Sequence, residues 1–306
     1  MSTLVVGGGG LLGSHVVDAL RRQGLACRVP RVADWLDTSA TLDTLLEQVP
    51  AAGDDYRVAW CAGAGTVATE PETLEREVRL FERFLDELPT PPRVVFLASS
   101  AGGVYAGSPA SPPFSERSAT GALAPYGVAK LAMERRLAAY ARRRGTRGVL
   151  GRISNLYGPG QNLDKGQGLV SRIRHGQLVH EPLGIYVSMD TLRDYLFVRD
   201  AAEMVLACLD RAAAEPPGTA TVKILASGKA LSIAALAGES ARVFRRSPGL
   251  ASRPSHRAAA QVRDLRLRSV VWPEIDALAR TPVGTGLHAT GNAVADAFVT
   301  GKRRAN

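Results

Sequence analysis

Short apolar runs alternate with longer amphipathic segments through the first half of the chain. The run Arg93–Ser99 (RVVFLAS) presents apolar side chains to both faces, which is typical of a strand buried within a parallel sheet. The pattern predicts strands at 4–6, 26–29, 57–62, 93–99 and 148–153. It predicts helices at 14–23, 38–48, 71–88 and 126–143. Strands separated by helices in this way indicate an α/β fold with a doubly wound parallel sheet.

The pattern loosens after residue 160. It predicts a helix at 167–176, an extended segment at 191–198, a strand at 221–225, a helix at 232–245 and a Pro/Ser/Arg-rich stretch at 247–257. We expect residues 1–160 to form the main domain, with returning segments near 191–205 and 221–226. Residues 161–306 would then form mostly a smaller C-terminal α/β subdomain.

Composition narrows the classes of protein to consider. The chain has 306 residues, of which 45% are hydrophobic and 22% charged, so it can bury a core and is not a disordered protein. No apolar run approaches the length of a membrane span. The three cysteines, Cys27, Cys61 and Cys208, are scattered and odd in number, which favours neither disulfides nor a metal site. Free thiols, and a start without a secretory signal, predict a cytoplasmic protein.

The formal net charge of +9 comes from two arginine-rich windows, residues 135–147 and 241–270. Neither window interleaves aromatic residues with its arginines, and neither lies in a nucleic-acid-binding motif, so we expect no nucleic-acid partner. The first is typical of a solvated helix end, where cations suit the helix dipole. The second is either a solvated face or a surface that meets an anionic ligand.

A glycine motif follows the first predicted strand. Gly7, Gly10 and Gly13 form G-x-x-G-x-x-G between that strand and the first helix. Glycine permits a tight turn, lets backbone N–H groups approach a pyrophosphate and lets the helix pack closely on the sheet. The motif therefore predicts a Rossmann fold that binds a dinucleotide. We also assign Leu12, within the glycine motif, and Ala62, at the end of the third predicted strand, to this cofactor site.

The end of the second strand bears on the choice of cofactor. NAD-binding units usually place an acid there, about 20 residues after the glycine motif, to bind the ribose hydroxyls. Here that region holds Arg31, and no acid occurs before Asp34. A guanidinium pairs well with a 2′-phosphate, which favours NADP, with NAD as the alternative. Asp34 and Trp35 would flank the adenine ring.

A serine, a tyrosine and a lysine form the candidate catalytic group. Ser99 and Ser100 end a predicted strand, and Tyr126 and Lys130 lie one turn apart at the start of a helix. A lysine ammonium beside a phenol favours the phenolate. Such a tyrosine can exchange the proton of a carbinol while a nicotinamide exchanges the hydride. Ser100 would hold the substrate oxygen, although the sequence leaves open which serine faces the site.

Six ordered blocks extend these observations over roughly residues 3–205. They are VVGGGGLLGSHVV (5–17), VAWCAGAG (58–65), VVFLASSAGGVYAGS (94–108), YGVAKLAME (126–134), GRISNLYGPGQN (151–162) and TLRDYLFVRDAAEMV (191–205). With them the chain resembles the extended short-chain dehydrogenase/reductases, specifically the NAD-dependent epimerase/dehydratase family of sugar-nucleotide enzymes.

The resemblance implies roles for particular residues. The three motif glycines would hold the cofactor pyrophosphate, and Tyr126, Lys130 and Ser100 would be catalytic. Asn155 and Arg193 would meet the substrate diphosphate, with Arg266 a weaker candidate. The resemblance also implies a small-molecule partner, a sugar nucleotide, and a homodimer that pairs through the helices at 71–88 and 126–143.

Departures from the family pattern affect the choice of reaction. Family dehydratases carry acidic residues directly after the catalytic hydroxyl, whereas Ser100 is followed by Ala101, Gly102 and Gly103, which disfavours dehydration. The family block Asn-Val-x-Gly-Thr reads Glu-Val-Arg-Leu-Phe here, so Glu77 replaces a cofactor-side asparagine.

Three functions remain open at this point. A sugar-nucleotide epimerase would oxidise a sugar hydroxyl transiently and return the hydride to the other face. An NADPH-dependent ketoreductase would reduce a keto sugar nucleotide once. A non-catalytic NADP-binding or NADP-sensing protein would use the fold without turnover.

Overall fold

The computed structural model describes residues 1–51, 55–63, 65, 69–163, 168–253 and 262–301. The strands are β1 (Ser2–Val6), β2 (Cys27–Arg28), β3 (Tyr56–Trp60), β4 (Val94–Ser100), β5 (Arg147–Ile153), β6 (Asn155–Tyr157), β7 (Leu183–Ile185), β8 (Leu192–Phe197), β9 (Ala220–Leu225), β10 (Ala230–Ser232), β11 (Leu250–Ser252) and β12 (Asp264–Leu265). The helices are α1 (Leu11–Arg22), α2 (Thr38–Glu47), α3 (Pro71–Glu87), α4 (Ala101–Tyr105), α5 (Pro125–Arg144), α6 (Leu169–Val179), α7 (Val198–Ala213), α8 (Ile233–Phe244), α9 (Pro273–Asp276) and α10 (Val283–Val299).

The main sheet has six strands in the order β2-β1-β3-β4-β5-β9, and every pairing in it is parallel. The chain moves outward in one direction from β1 to β2, and in the other direction from β3 onward. Connections from β1 and β3 therefore diverge at their carboxyl ends and leave a crevice, where doubly wound sheets bind ligands. The predicted doubly wound Rossmann fold is confirmed.

Two apolar layers cover the faces of this sheet. On one face, α1 and α7 bury side chains such as Val16, Leu20 and Val205. On the other face, α3 and α5 bury Phe81 and Leu137 against the sheet, together with side chains of α2. Because helices cover both faces, the central strands are apolar at successive positions, as the sequence of β4 predicts.

The remaining strands form smaller sheets beside the crevice. A four-stranded sheet has β8 at its centre, paired with β10, β12 and β6, and a two-stranded sheet joins β7 to β11. The helices α6, α8 and α10 pack near these strands around a third apolar cluster that includes Tyr157, Phe197 and Leu236.

Several of these elements differ from the sequence prediction. Helix α7 follows β8 with no intervening loop, since Phe197 ends the strand and also serves as the helix N-cap, so no turn residue marks the change. Helix α10 contains glycines, which lower helix propensity. The packing requires two of them: a Cβ on Gly286 would lie 2.3 Å from the Tyr157 hydroxyl, and one on Gly291 would lie 2.1 Å from Cζ of Phe244.

A buried lysine anchors the last strand of the main sheet. Lys223 on β9 is fully buried, and its Nζ donates to the Val271 carbonyl at 2.6 Å and to Asp276 Oδ1 at 2.5 Å. Glu116 joins the same cluster, because its Oε1 accepts from the backbone N–H of Ile224 at 2.9 Å. Segments distant in sequence thus hold β9 in place.

Candidate active site

The glycine motif forms a close backbone contact at the end of β1. Gly7 has a positive φ of 82°, and a Cβ there would lie 2.5 Å from the backbone nitrogen of Ala62. A Cβ on Gly13 would lie 2.1 Å from the Gly7 carbonyl oxygen. Gly10 is the N-cap of α1, so the first N–H groups of this helix are directed at the crevice. This cradle fits a dinucleotide pyrophosphate. The Leu12 side chain is buried in the core, so only its backbone can face the cofactor.

The adenosine side of the crevice lies beyond β2. Arg31 is exposed, while Arg28 Nη1 donates to the carbonyl oxygen of Gln48 at 3.4 Å. Asp34 Oδ1 accepts the backbone N–H of Leu36 at 2.8 Å, so this carboxylate closes a local turn. Trp35 is 39% exposed and can flank an adenine ring. Arg31 thus remains the predicted partner of a 2′-phosphate.

Ser100 and Tyr126 meet at Gly103. Ser100 is the N-cap of α4, and its Oγ accepts the backbone N–H of Gly103 at 3.1 Å. A Cβ on Gly103 would lie 3.2 Å from two carbons of the Tyr126 ring. Helix α5 approaches equally closely, because a Cβ on Gly127 would lie 2.1 Å from the Gly103 carbonyl oxygen. The structure therefore brings the predicted serine and tyrosine together, and the glycine after Ser100 makes room for the ring.

The neighbouring serine points into the core. Ser99 is buried and its Oγ donates to Glu134 Oε1 at 2.6 Å. Glu134 also pairs with Arg152, whose Nη2 lies 2.7 Å from Oε2, and Arg152 Nη1 donates to the Tyr105 hydroxyl at 2.8 Å. Successive strand residues face opposite sides, so this network leaves Ser100 for the site. Glu134 was not among the residues predicted from the sequence; its spacing of one helical turn from Lys130 was the available signal.

Lys130 lies beneath the tyrosine. Its side chain is 5% exposed, its Nζ donates to the Ala98 carbonyl at 3.3 Å, and the Nζ lies 5.7 Å from the centre of the Tyr126 ring. The carbonyl at the end of β4 therefore helps to hold the ammonium close to the phenol. The predicted catalytic pair is assembled on one face of α5.

Glu77 is a further charged group at this wall. It lies on α3, and its Oε1 accepts the backbone N–H of Gly65 at 2.7 Å. A Cβ on Gly63 would lie 3.4 Å from Lys130 Nζ and 3.8 Å from Glu77 Oε2. The sequence showed Glu77 only as a departure from the family pattern, and the structure places it near Lys130, the predicted catalytic lysine.

Three adjoining strands carry the predicted substrate residues. Asn155 begins β6 and is exposed, and Arg193 lies on β8, half-buried, with Nη1 donating to the Leu192 carbonyl at 2.8 Å. Burial lowers the pKa of Arg193. Arg266 directly follows β12, where Leu265 pairs with Arg193, and its Nη2 lies 2.8 Å from Asp264 Oδ2.

The substrate strands also approach the catalytic serine. A Cβ on Gly102 would lie 3.5 Å from Cδ2 of Leu265 and 4.0 Å from Ser100 Oγ. Strand β12 therefore lies at the same side of the crevice as Ser100. A ligand that spans Ser100 and the predicted diphosphate residues can run along these strands.

Acidic residues balance part of both arginine-rich windows. Arg143 Nη2 lies 2.6 Å from Asp86 Oδ1, across α5 and α3, and Arg242 Nη2 lies 2.8 Å from Glu239 Oε2. Arg257, within the second window, lies outside the described residues. Within the described ranges, no three His, Cys, Asp or Glu side chains come together to hold a metal ion. No helix in those ranges is long and apolar enough to cross a membrane.

Comparison with known proteins places this geometry in a family. The model of the NAD dependent epimerase/dehydratase family matches residues 3–222. The dTDP-4-dehydro-6-deoxyglucose reductase of Escherichia coli is 32% identical over 116 residues, which cover 38% of this chain and 36% of the reductase. The chain thus aligns with little more than a third of that relative's length.

Solved structures share the fold over nearly the whole chain. The UDP-glucose 4-epimerase of Thermotoga maritima, solved with UDP-glucose, has a TM-score of 0.82 at 21% identity, covering 97% of this chain and 100% of that one. MoeE5, solved with UDP-glucose and NAD, has a TM-score of 0.80 at 24% identity with the same coverage. These structures establish the likeness of fold, and the family model covers well over half of the sequence. The chain belongs to the NAD-dependent epimerase/dehydratase family, a family of enzymes.

Proposed function

We propose that the protein is an NAD(P)-dependent sugar-nucleotide epimerase that oxidises a sugar hydroxyl transiently. The observation that carries this proposal is the convergence of Ser100, Tyr126 and Lys130 beside the crevice that the glycine motif opens. A hydroxyl donor, a phenol and an ammonium in this arrangement suit proton exchange with a carbinol.

Each residue of the group has a distinct task in this proposal. Ser100 holds the oxygen of the reacting carbinol by a hydrogen bond, and Tyr126 takes its proton and later returns it. Lys130 stabilises the phenolate by its positive charge. The bound nicotinamide would supply the acceptor and donor of the hydride. Rotation of the keto sugar between the two transfers would change the configuration of the carbon.

Basic and amide side chains on the substrate side support a nucleotide diphosphate as the part of the ligand that anchors the sugar. Arg193 and Arg266 lie on or beside neighbouring strands, and guanidinium groups bind phosphate oxygens bidentately. Asn155 adds an amide at the third strand. The similar epimerase from Thermotoga maritima was solved with UDP-glucose, which makes UDP-hexoses the first substrates to test.

An NADPH-dependent ketoreductase is the second candidate. Its support is Arg31, which is exposed after β2 while the nearby Asp34 carboxylate is bonded to Leu36. A preference for NADP suits an enzyme that consumes reducing equivalents. The similarity to a dTDP-4-dehydro-6-deoxyglucose reductase agrees with this alternative. The stretch after Ser100, without acids, continues to disfavour dehydration.

One pair of assays separates the candidates. In the first, UDP-glucose is incubated with the enzyme and oxidised cofactor, and NMR identifies the sugar. An isomer formed without net change in cofactor absorbance supports the epimerase. In the second, a keto sugar nucleotide is supplied with NADPH, and stoichiometric loss of absorbance overturns the epimerase in favour of the reductase. Cofactor binding with no turnover in either assay would support the non-catalytic alternative.

Cofactor preference is tested by Arg31→Ala. We expect the variant to lose affinity for NADP about tenfold or more while its affinity for NAD stays close to the parent's, because only NADP has the 2′-phosphate. Arg28→Ala is the matched control, since Arg28 reaches Gln48 instead. A parent protein that binds NAD more tightly than NADP would contradict this assignment.

We further propose a homodimer in the cytoplasm. In the dimer, α3 and α5 would lie at the interface; both helices present charged side chains, including the ion pair between Arg136 and Glu82. Sedimentation at low and high salt would measure the assembly, and a monomer under both conditions would contradict it.

A further inference from the structure

A carboxylate occupies the wall of the crevice next to the catalytic pair. Glu77 on α3 is half-buried, and its Oε1 is tied to the backbone N–H of Gly65 at 2.7 Å. The other oxygen, Oε2, also lies near Gly65. A Cβ on Gly65 would lie 3.3 Å from Glu77 Oε2 and 3.2 Å from Cδ2 of Tyr126. Glu77 Oε2 is therefore no more than about 6.5 Å from this carbon of the tyrosine ring.

The Lys130 ammonium also lies near Glu77 Oε2. A Cβ on Gly63 would lie 3.4 Å from Lys130 Nζ and 3.8 Å from Glu77 Oε2. The ammonium and this carboxylate oxygen are therefore no more than about 7 Å apart. At such a range, in the effective dielectric of a protein, one unit charge changes an equilibrium about tenfold. The negative charge of Glu77 therefore opposes the field of the Lys130 ammonium.

The nicotinamide end of a cofactor must lie near this wall. The glycine motif fixes the pyrophosphate at the end of β1, where Gly7 touches Ala62. The proton and the hydride leave the same carbinol, so the reactive ring has to approach the carbon whose oxygen faces Tyr126. Gly63 and Gly65 lie at this wall, close to Lys130, Glu77 and Tyr126. The oxidised ring carries a positive charge that the reduced ring lacks.

We propose that Glu77 stabilises the oxidised, positively charged form of the bound nicotinamide by offsetting the Lys130 ammonium. This inference rests on the proposed function, since it requires that the crevice binds a nicotinamide dinucleotide. Its consequence is that the enzyme retains oxidised cofactor in preference to reduced cofactor, which is the form that begins an epimerisation cycle.

The test compares affinities for the two redox forms of one cofactor. Calorimetry measures the dissociation constants of NADP and NADPH for the parent, for Glu77→Gln and for Glu77→Asp. We expect Glu77→Gln to weaken NADP relative to NADPH about tenfold, and Glu77→Asp, which keeps the charge, to stay close to the parent. Glu75→Gln is the matched control, because Glu75 lies on the same helix, pairs with Arg79 and is 67% exposed.

The ratio of the NADP and NADPH dissociation constants distinguishes an effect of the Glu77 charge from a purely structural role of its side chain. If Glu77→Gln weakens both forms equally, Glu77 only supports the loop at Gly65, and the inference is overturned. A further measurement uses Lys130→Met and does not depend on whether the Glu77 variants fold. Removing the ammonium should strengthen the binding of NADP relative to that of NADPH. An unchanged ratio of the two dissociation constants would also overturn the inference. A parent that binds neither NADP nor NAD defeats the proposed function itself. If the parent binds both NADP and NAD, but no variant changes the ratio of the dissociation constants of the oxidised and reduced forms, only this inference is overturned.

Discussion

The cofactor side and the substrate side of the crevice are held by different kinds of contact. On the cofactor side, backbone touches backbone: a Cβ on Gly13 would meet the Gly7 carbonyl, and one on Gly127 would meet the Gly103 carbonyl, each at 2.1 Å. Such contacts allow only glycine. They therefore leave motifs in the sequence that can be read without the structure.

The substrate side is held by charged and polar side chains. Asp194 is buried and accepts from the backbone N–H of Ser227 at 2.8 Å and from that of Lys229 at 3.1 Å. Burial raises the pKa of Asp194. Asp264 holds Arg266 through its carboxylate. Pairs like these join residues that local sequence does not connect, and other residue types can replace them. The difference teaches that close backbone contacts specify glycine on the cofactor side, whereas pairs of side chains distant in sequence shape the substrate side.

The largest expected effect concerns the predicted catalytic group, which lies between the cofactor side and the substrate side of the crevice. Tyr126→Phe should reduce turnover about a thousandfold, within the range for loss of a general acid–base group, because no other phenol takes its place. Cofactor affinity should change little, since the ring remains. Turnover and calorimetry on the same preparation measure both.

Tyr56→Phe is the control for that variant. It removes a phenol hydroxyl that donates to the Thr90 carbonyl at 2.6 Å. Tyr56 lies in the apolar cluster on the face of the sheet that α3 covers. We expect a loss of about 1 kcal/mol in the free energy of unfolding and an unchanged rate. A Tyr126→Phe enzyme as active as the parent would refute the proposed mechanism.

A pair of glycine substitutions tests the comparison directly. Gly13→Ala forces a Cβ against the Gly7 carbonyl, so we expect about 2 kcal/mol of destabilisation and loss of tight cofactor binding. Gly238→Ala, on the substrate side, adds a Cβ to α8 where no atom lies within 4 Å. That substitution should stabilise the protein by about 0.5–1 kcal/mol through helix propensity. Denaturant unfolding measures the free energy of unfolding of both variants. Equal changes in that free energy would contradict the difference between the cofactor side and the substrate side.

The smallest effect concerns acid sensitivity on the substrate side. Hydrogen bonds from Arg266 lower the pKa of Asp264 below its value in the unfolded chain. The stabilisation is therefore present above the ordinary aspartate pKa and is lost as the pH falls toward the folded value. Because Arg266 is exposed and Asp264 is only partly buried, solvent screens the pair and we expect a small effect on the free energy of unfolding. Asp264→Asn should flatten this part of the stability profile, measured by urea unfolding from neutral to acidic pH, and an unaltered profile would contradict the assignment.

The sequence predicted the cofactor side well because its signals are local. The strands of the main sheet, the glycine motif and the Tyr126–Lys130 pair all follow from short patterns. The choice between Ser99 and Ser100 did not, since it depends on Glu134 reaching Ser99 from α5. Knowledge of one buried partner would have decided it.

The substrate side was predicted poorly for physical reasons. The glycines of α10 contradict helix propensity and make sense only beside the rings of Tyr157 and Phe244. Strand β12 has two residues, and its place is set by pairing with β8. Glu77 was visible as a departure, but its relation to Lys130 depends on how α3 and α5 pack. Tertiary contacts, absent from local sequence, determine each of these features.

The Lys223 cluster has a consequence for biosynthesis. An ammonium buried without partners is costly, and two of the partners of Lys223 are supplied by Val271 and Asp276, which the ribosome adds well after β9 has emerged. The sixth strand therefore settles only after translation has passed Asp276. We expect truncated or stalled chains that end before this point to expose the edge of β5, which β9 otherwise covers. Completion of the main sheet thus depends on residues about fifty positions beyond its last strand.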